Sequence, residues 1–396
     1  MTAYFDFTNP LLETHRFEYY KGFQENDPVH WTPYGYWVLF RYADAELLLR
    51  TPSVSSNFPA NPNWAAARGG ATSPAVKAAG KWMLMQDGAD HRRLRRGIGK
   101  IFTPRMIDKM RVRVPEIVDE LLDGIRDGDE IELMSTLALP LPITVVSELI
   151  GIPEQDRSMF RVLTEPIGQL IDRAVSPDRL IAMNKAEPKS RAYVFKLIER
   201  ARCEEPTDTL VSVMTHEGEY TDEEIASNVG LLYNAGHETT ANLIGNGMTA
   251  LLEQPDAMRA LRDDPSLMPT AVEELSRFYP SARFAARILT EDLKIRDTVI
   301  PAGDAVFVAF DAVGRDPEAY PDPHRLDLGR TGVKSLAFSA GPHHCMGKAL
   351  GLLEAGALFG EMLRRFGTVE LARETPSYQH HFNLRALADL PIRLRA

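Results

Sequence analysis

The chain has 396 residues, a formal net charge of −10 and two cysteines, Cys203 and Cys345. The acidic balance argues against a general affinity for nucleic acid or for an anionic membrane. Two cysteines in so long a chain are typical of a reduced cytoplasmic protein, although one disulfide between them would also fit. Residues 1–10 lack a signal-peptide pattern, and no stretch has the roughly 18 apolar residues of a membrane span. Because no linker divides the chain, we expect residues 1–396 to form one domain.

The first elements along the chain are strands. Val29–Thr32 and Tyr36–Phe40 flank the turn at residues 33–35 and predict a hairpin. Asp44–Arg50 predicts a short helix. Residues 57–80 are rich in Ala, Gly, Pro, Ser and Asn without a clear period, which predicts a loop or lid. Residues 171–190 are weakly patterned and contain two prolines, so we expect a second mobile connection there.

Residues from about 88 to 275 have a largely helical pattern. Apolar residues recur at spacings of three and four in Ile117–Ile125, Ile143–Ile150 and Ala192–Ala201. The longest helix is predicted between Thr221, whose spacing from Glu224 is that of a capping box, and Pro255. Such a helix would be about 50 Å long. It is apolar nearly all round, so we expect it to run through the core.

The last third of the chain contains the remaining strands. Leu293–Ile295, Thr298–Ile300 and Ala305–Phe310 predict short strands, and a coil is expected at 314–328. A final long helix should end near Phe366, and Phe382–Leu394 predicts a pair of strands. Helices dominate, so the predicted fold class is mainly α with a small β region.

A cysteine precedes the final long helix. Cys345 lies in the segment Phe338-Ser-Ala-Gly341-Pro-His343-His344-Cys345-Met-Gly347. A helix N-terminus favours thiolate, and nearby N–H groups can donate to the sulfur. Gly341 and Gly347 permit positive φ and close approach of a flat group, while Phe338 supplies an apolar wall. A zinc site of His343, His344 and Cys345 is a weaker alternative, because adjacent ligands rarely reach one tetrahedral ion.

An acid and an alcohol stand side by side within the long helix, in Ala235-Gly236-His237-Glu238-Thr239. Polar groups are unusual in the middle of a core helix. Their side chains could interrupt the backbone hydrogen bonds, kink the helix and admit water. Helix bending by Thr back-bonding alone is the competing interpretation.

Together these two motifs resemble those of the cytochrome P450 family. The spacing Phe-x-x-Gly-x-x-x-Cys-x-Gly is similar to its haem-binding signature, and Ala-Gly-x-Glu-Thr to its oxygen-activation motif. The resemblance implies a triangular, mainly helical fold with haem b (iron protoporphyrin IX) between the long distal helix and the proximal cysteine helix. It implies Cys345 as the axial iron ligand. It also implies that Thr239 and Glu238 are catalytic, in oxygen binding and proton delivery, and that Ala235 and Gly236 leave room above the porphyrin.

The resemblance also assigns roles to charged residues. His91, Arg95, Arg287 and His343 match contacts to the two haem propionates, which need cationic partners. Singly, each would be read as a solvated surface charge. Glu274 and Arg277 match a buried pair that braces the cysteine loop, with Arg325 as the expected third member.

The implied function is that of a haem-thiolate monooxygenase. It would use O₂ to hydroxylate or epoxidise a mid-sized, largely apolar molecule of bacterial secondary metabolism. We expect it to act as a monomer without nucleic-acid or membrane partners. Electrons would come from a separate ferredoxin, which a basic surface of Arg92, Arg93, Arg96 and Lys100 would suit. The alternatives are ring coupling, desaturation or peroxygenase chemistry on the same scaffold, or a non-catalytic haem sensor.

The sequence also offers candidates for the residues that line a substrate pocket. Met83, Met85, Leu232 and Phe284 are candidate apolar lining residues. Arg283 could bind a substrate carboxylate, but a surface role is the favoured interpretation. His380 and His381 have no assigned role.

Overall fold

The computed structural model describes residues 4–7, 9, 11–172, 175–373, 376–379 and 382–395, so His380 and His381 lie outside the described residues. Within these residues the α-helices are, in chain order from α1 to α16, Leu11–Thr14, Arg16–Asn26, Tyr42–Arg50, Pro62–Ala66, Pro74–Ala79, Gly88–Ile98, Pro104–Leu122, Pro140–Ile150, Arg157–Gly168, Pro177–Cys203, Leu210–Glu217, Asp222–Glu253, Pro255–Asp263, Met268–Phe278, Phe310–Val313 and Lys348–Arg365. The strands, from β1 to β12, are Val29–Thr32, Tyr36–Leu39, Val54–Ser55, Glu130–Glu132, Phe284–Leu289, Leu293–Ile295, Thr298–Ile300, Ala305–Ala309, Thr368–Leu371, Ser377–Tyr378, Leu387–Asp389 and Pro391–Arg395. The predicted class, mainly α with a small β region, is confirmed.

The largest sheet has five strands in the order β1-β2-β8-β5-β3. The predicted hairpin is confirmed as the antiparallel pair β1–β2, in which Val29 faces Leu39. Strand β8 pairs parallel to β2 and antiparallel to β5. The sequence missed β5, which starts at Phe284.

The predicted C-terminal strand pair is wrong. β11 pairs with β10, whereas β12 pairs with β4 and β9. A single residue, Leu390, separates β11 from β12. This is shorter than the two-residue loop of a tight hairpin, so the chain passes from one sheet into another.

Helix α12 is the predicted long helix. Its N-cap is Thr221, whose side chain accepts from the Glu224 N–H while the Glu224 side chain accepts from the Thr221 N–H. Most of its 32 residues are buried, and it packs against α8, α9, α10, α14 and α16. The predicted central helix is therefore confirmed. In the described part of the chain, no helix has the length and apolarity needed to cross a bilayer.

The two segments expected to be irregular contain helices instead. Residues 57–80 include α4 and α5, and most of residues 171–190 belongs to α10, which continues through Pro188. Each of these helices begins with an Asn or Ser N-cap followed by proline: Asn61-Pro62, Ser73-Pro74 and Ser176-Pro177. Proline at the first helical position lacks an N–H that would have no partner there anyway. The prolines in these two segments, which favour loops when the sequence is considered alone, therefore stand at the first positions of helices in the structure.

Candidate active site

The cysteine loop, residues 338–347, leads into α16. The Cys345 N–H donates to the Phe338 carbonyl at 2.9 Å, and the N–H groups of Gly347 and Lys348 hydrogen-bond to the sulfur. Burial raises the pKa of the Cys345 thiol, while these two N–H groups, Arg95 and Lys348 act in the opposite direction. The donors are thus placed to stabilise a thiolate, as the sequence predicted.

Gly341 and Gly347 differ in their role. Gly341 has φ +67°, and an added Cβ would collide with the Leu49 carbonyl oxygen of α3. Gly347 has φ −81°, and an added Cβ would meet Phe102 only at 3.8 Å. The expectation of positive φ is confirmed for Gly341 and wrong for Gly347. Ser339, which the sequence did not single out, also has positive φ, at 61°.

An open stripe interrupts the buried surface of α12. Between Ile225 and Leu251, the residues that are not buried are Leu232, Ala235, Gly236, Glu238 and Thr239. Residues 232, 235, 236 and 239 are spaced three or four apart and share one helix face. Ala235 and Thr239 of the motif therefore lie on this incompletely buried face, and Glu238, next to Thr239, is partly exposed as well. Helices α12 and α16 lie against each other near Thr240. The approach at Gly351 is so close that an added Cβ there would lie 3.4 Å from the Thr240 hydroxyl.

Thr239 forms the back-bond considered above. Its hydroxyl donates to the Ala235 carbonyl at 2.7 Å, and the Ser281 hydroxyl donates to the Thr239 carbonyl at 2.8 Å. The expected interruption of the helix is wrong, since α12 is continuous from Asp222 to Glu253. Ser281 was missed because it follows α14, far away along the chain.

Gly236 serves helix packing. An added Cβ would lie 2.9 Å from a methyl group of Val146 in α8. The absence of a side chain at Gly236 therefore allows the close contact between α12 and α8, and the expectation that it also leaves room above a cofactor stays a prediction. Ala235, in contrast, is exposed on the open stripe.

A group of basic residues gathers around His343. The rings of His91 and His343 are 4.2 Å apart, and the charges of Arg287 and Arg95 act on both. Burial lowers the pKa of Arg287 to about 10, and burial with these neighbouring charges lowers that of His343 to about 3. The buried Nε2 of His91 has no hydrogen-bond partner among the described residues. The nearest carboxylate oxygen, on Asp87, is 4.0 Å from His343.

These residues fit a cofactor that carries carboxylates and binds through a thiolate. An unpartnered buried imidazole nitrogen beside a buried guanidinium calls for an anion. The two propionates of haem would supply it, and Cys345 would supply the iron ligand. Arg95, one of the residues predicted to contact a propionate, also has a partner within the protein. It donates to the His344 carbonyl at 2.7 Å and so braces the cysteine loop.

A second arginine joins the buried Glu274–Arg277 ion pair. It is Arg330, so the expectation that Arg325 takes this place is wrong. Arg277 forms two 2.7 Å hydrogen bonds to Glu274, and Arg330 donates to Glu274 at 3.1 Å. Arg325 contributes its backbone carbonyl, which accepts from Arg277 and Arg330, and its side chain is exposed. A buried carboxylate needs such paired cations.

The expected basic surface is largely neutralised. Arg93 is paired with Glu224, Arg96 with Glu219 at 2.7 Å, and Lys100 with Glu217. These carboxylates follow or belong to α11 and α12. The prediction of an open basic patch is therefore wrong for three of its four members.

The proposed pocket-lining residues separate into two groups. Leu232 lies on the open stripe, whereas Phe284 packs inside an aromatic cluster, 4.3 Å from the ring of Phe7. Met83 and Met85 are buried as well. Arg283 is not a surface residue: its Nε faces Asp311 at 3.9 Å and its Nη2 donates to the Leu12 carbonyl.

Arg68 joins two segments that we call the lid segments, residues 57–80 and 169–190. Its Nε donates to the Leu170 carbonyl at 2.8 Å and its Nη2 to the Asp172 carbonyl at 2.5 Å. Its guanidinium also stacks on Trp64, 4.1 Å from the ring centroid. The sequence signal was slight, consisting only of the helical i, i+4 spacing of Trp64 and Arg68.

The fold and this site define a protein that holds a carboxylate-bearing cofactor next to a cysteine ligand. The family model described as Cytochrome P450 matches residues 158–384. The cytochrome P450 monooxygenase PikC of Streptomyces venezuelae is 37% identical over 95% of this chain and 90% of its own. The polyketide biosynthesis cytochrome P450 PksS of Bacillus subtilis is 32% identical over 94% of both chains. The chain belongs to the cytochrome P450 family, and is accordingly a haem-dependent monooxygenase.

A solved structure extends the likeness to nearly the full length. The enzyme CxnD, described as acting in C–S bond formation in chuangxinmycin biosynthesis, superposes with a TM-score of 0.85 at 31% identity. The match covers 98% of this chain and 96% of that one. The predicted family and fold are therefore confirmed.

Proposed function

We propose that this enzyme inserts one oxygen atom from O₂ into a mid-sized, largely apolar molecule of bacterial secondary metabolism, by hydroxylation or epoxidation. The observation that carries the proposal is the open stripe on α12, where the Thr239 hydroxyl and the Glu238 carboxylate stand beside apolar Ala235 and Leu232. Bound haem would supply the oxygen chemistry, and the Cys345 thiolate would hold it. The relation to PksS supports the substrate class.

The role of Thr239 follows from its hydrogen bonds, and that of Glu238 from its position next to Thr239. Because the Thr239 hydroxyl donates its proton to the Ala235 carbonyl, its oxygen is free to accept a hydrogen bond from a group in the open space. Ser281 fixes the carbonyl of the same residue. Glu238, one residue earlier, is partly exposed and can carry a proton towards Thr239.

Labelled dioxygen tests the reaction type. Candidate polyketides and other apolar metabolites are first screened for a shift of the haem spin state, and hits are then turned over under isotopically labelled O₂. One labelled oxygen atom in the product is expected. A Thr239→Ala variant should consume electrons but form less product, whereas Thr249→Ala, a substitution of a buried threonine further along the same helix, should keep the product yield. Unlabelled oxidised product would contradict the proposal.

A second candidate is oxidative coupling, desaturation or peroxygenase chemistry. The likeness to CxnD, which is described as an enzyme for C–S bond formation, supports this candidate. A coupled or desaturated product without labelled oxygen would select it. A non-catalytic sensor would show neither a spin-state shift nor electron uptake.

We further propose that a ferredoxin delivers the electrons at a cleft beside Cys345. The cleft has a volume of about 550 Å³, and Phe102, Met346, Leu352, Arg95 and Lys348 contribute to its lining. Lys348 is paired with Glu273. Reduction by ferredoxin should slow in Lys348→Glu and depend on salt, while the exposed Arg92→Glu should leave it unchanged. Equal rates in both variants would contradict this docking position.

The remaining expectations concern the whole chain. We propose that it acts as a single-domain monomer in the cytoplasm, without a nucleic-acid or membrane partner. Sedimentation of the haem-loaded protein checks the monomer, and a dimer at micromolar concentration would contradict it.

A further inference from the structure

A group of arginines surrounds Tyr279, away from the active-site residues described above. Arg16 begins α2, Arg315 follows α15, and Arg385 precedes β11. Their guanidinium carbons lie 4.6, 5.9 and 3.9 Å from the centroid of the Tyr279 ring. Three like charges thus share one aromatic ring, and we call this group the arginine cluster.

Among the described residues, the arginine cluster has fewer buried carboxylates than guanidinium groups. Asp311, which is 1% exposed, is the carboxylate whose charge acts on both Arg16 and Arg315. It also faces Arg283, at 3.9 Å, which is longer than a hydrogen bond. With Arg283 included, three guanidinium groups share this one buried carboxylate, and Arg385 adds a fourth positive charge around Tyr279. The Tyr279 hydroxyl reaches a second carboxylate, Glu253, but that residue is exposed.

The cluster also contains buried polar atoms that form no hydrogen bond with the described residues, and they include both carboxylate oxygens of Asp311. Among the described residues, Nε of Arg16, Nε of Arg315, and both Nε and Nη1 of Arg385 are buried and have no hydrogen-bond partner. Arg315 is 3% and Arg385 5% exposed. Burial lowers the pKa of Arg315 to about 9. Buried polar groups without protein partners are satisfied by water or by a bound ion, but water would leave the excess positive charge uncompensated.

We propose that the arginine cluster is a binding site for a small inorganic anion of the halide type. The anion accepts hydrogen bonds from the unpartnered N–H groups of Arg16, Arg315 and Arg385, and its charge offsets theirs. Asp311 lowers the affinity, because it is a like charge in the same group. Cation–π contacts with Tyr279 hold the three guanidinium groups in place without using their N–H groups.

Binding at this site would stabilise a junction next to the active site. The Arg385 carbonyl accepts from Asn246 of α12 at 3.0 Å, and the Arg385 N–H donates to the Ser281 carbonyl at 2.8 Å. Ser281 in turn holds the Thr239 carbonyl. The anion therefore ties the start of α2 and the C-terminal strands to the region that positions Thr239.

Bromide tests the site directly. Crystals of the haem-loaded enzyme are soaked in sodium bromide, and anomalous diffraction is recorded. We expect one peak within hydrogen-bond distance of the Arg16, Arg315 and Arg385 guanidinium groups. In solution, chloride at saturating concentration should raise Tm by about 3 °C over gluconate at equal ionic strength.

Matched variants separate the site from a general salt effect. Arg385→Met should lose the chloride-dependent rise in Tm, and Asp311→Asn should reach half-saturation at a lower chloride concentration. Arg111→Met, which removes an exposed arginine of α7, should respond like the wild type. An ordered water with no anomalous peak would overturn the proposal. So would an adventitious ion only, seen as a bromide peak without stabilisation by chloride in solution.

Discussion

The cysteine loop and the lid segments are both built around the active site, but different interactions hold them. The cysteine loop is fixed by its backbone: positive φ at Ser339 and Gly341, and the hydrogen bond from the Cys345 N–H to the Phe338 carbonyl. The lid segments are joined by a side chain, Arg68, which donates to the carbonyls of Leu170 and Asp172. A backbone conformation is set by local residue types, whereas a side-chain latch can open. The comparison suggests a rigid iron-binding side and a closable substrate side.

Substitution of Gly341 should have the largest effect. Gly341→Ala places a side chain at positive φ against the Leu49 carbonyl, and should lower the free energy of unfolding by about 2–4 kcal/mol. Denaturant unfolding of the haem-loaded protein measures the change. Gly124→Ala is the matched control, because an added Cβ there meets nothing within 4 Å and its φ is ordinary. Equal losses in the two variants would show that the backbone of the cysteine loop is not constrained.

The next effect concerns the ion pairs of Glu274. Arg330→Met removes a cation from a buried carboxylate and should lower the free energy of unfolding by about 1–3 kcal/mol. Arg325→Met removes an exposed side chain and should change it by less than about 0.5 kcal/mol. The same unfolding experiment decides between them. A larger loss of unfolding free energy in Arg325→Met than in Arg330→Met would show that Arg325 stabilises Glu274, as the sequence suggested.

Loss of the Arg68 latch should alter kinetics more than stability. Arg68→Met removes the donors that join the lid segments, so imidazole should bind to and leave the haem roughly ten times faster. Stopped-flow absorbance follows the exchange, and hydrogen exchange at residues 62–80 should increase. Lys77→Met, an exposed residue of the same segment, is the control. Unchanged rates in Arg68→Met would mean that the lid segments do not limit entry.

The same contrast explains what could be predicted from the sequence. The cysteine loop and α12 were identified because their signals are local: residue types at fixed spacing, and the Thr221–Glu224 cap. The lid helices were missed although Asn61-Pro62, Ser73-Pro74 and Ser176-Pro177 are cap-and-proline starts, because the same residue types also mark turns.

The sequence alone does not show which residues far apart along the chain form hydrogen bonds with one another. Arg330 acts on Glu274, Ser281 on Thr239, and Arg68 on Leu170 and Asp172. The partners lie 42 to 104 positions apart along the chain. Arg325 and Arg330 both follow Glu274 in a coil, and only the path of that coil decides which side chain reaches the carboxylate. Likewise, the sequence suggested that Gly236 leaves room for a cofactor, but not that it packs against Val146.

The most direct test of the central claim is the absorption spectrum of the reduced protein with carbon monoxide. A Soret band at about 450 nm is expected, because Cys345 would bind the haem iron as thiolate. Cys345→Ala should lose this band, whereas Cys203→Ala, which removes the other cysteine of the chain, should keep it. A wild-type band at about 420 nm alone, or retention of the 450 nm band in Cys345→Ala, would contradict the assignment of the iron ligand.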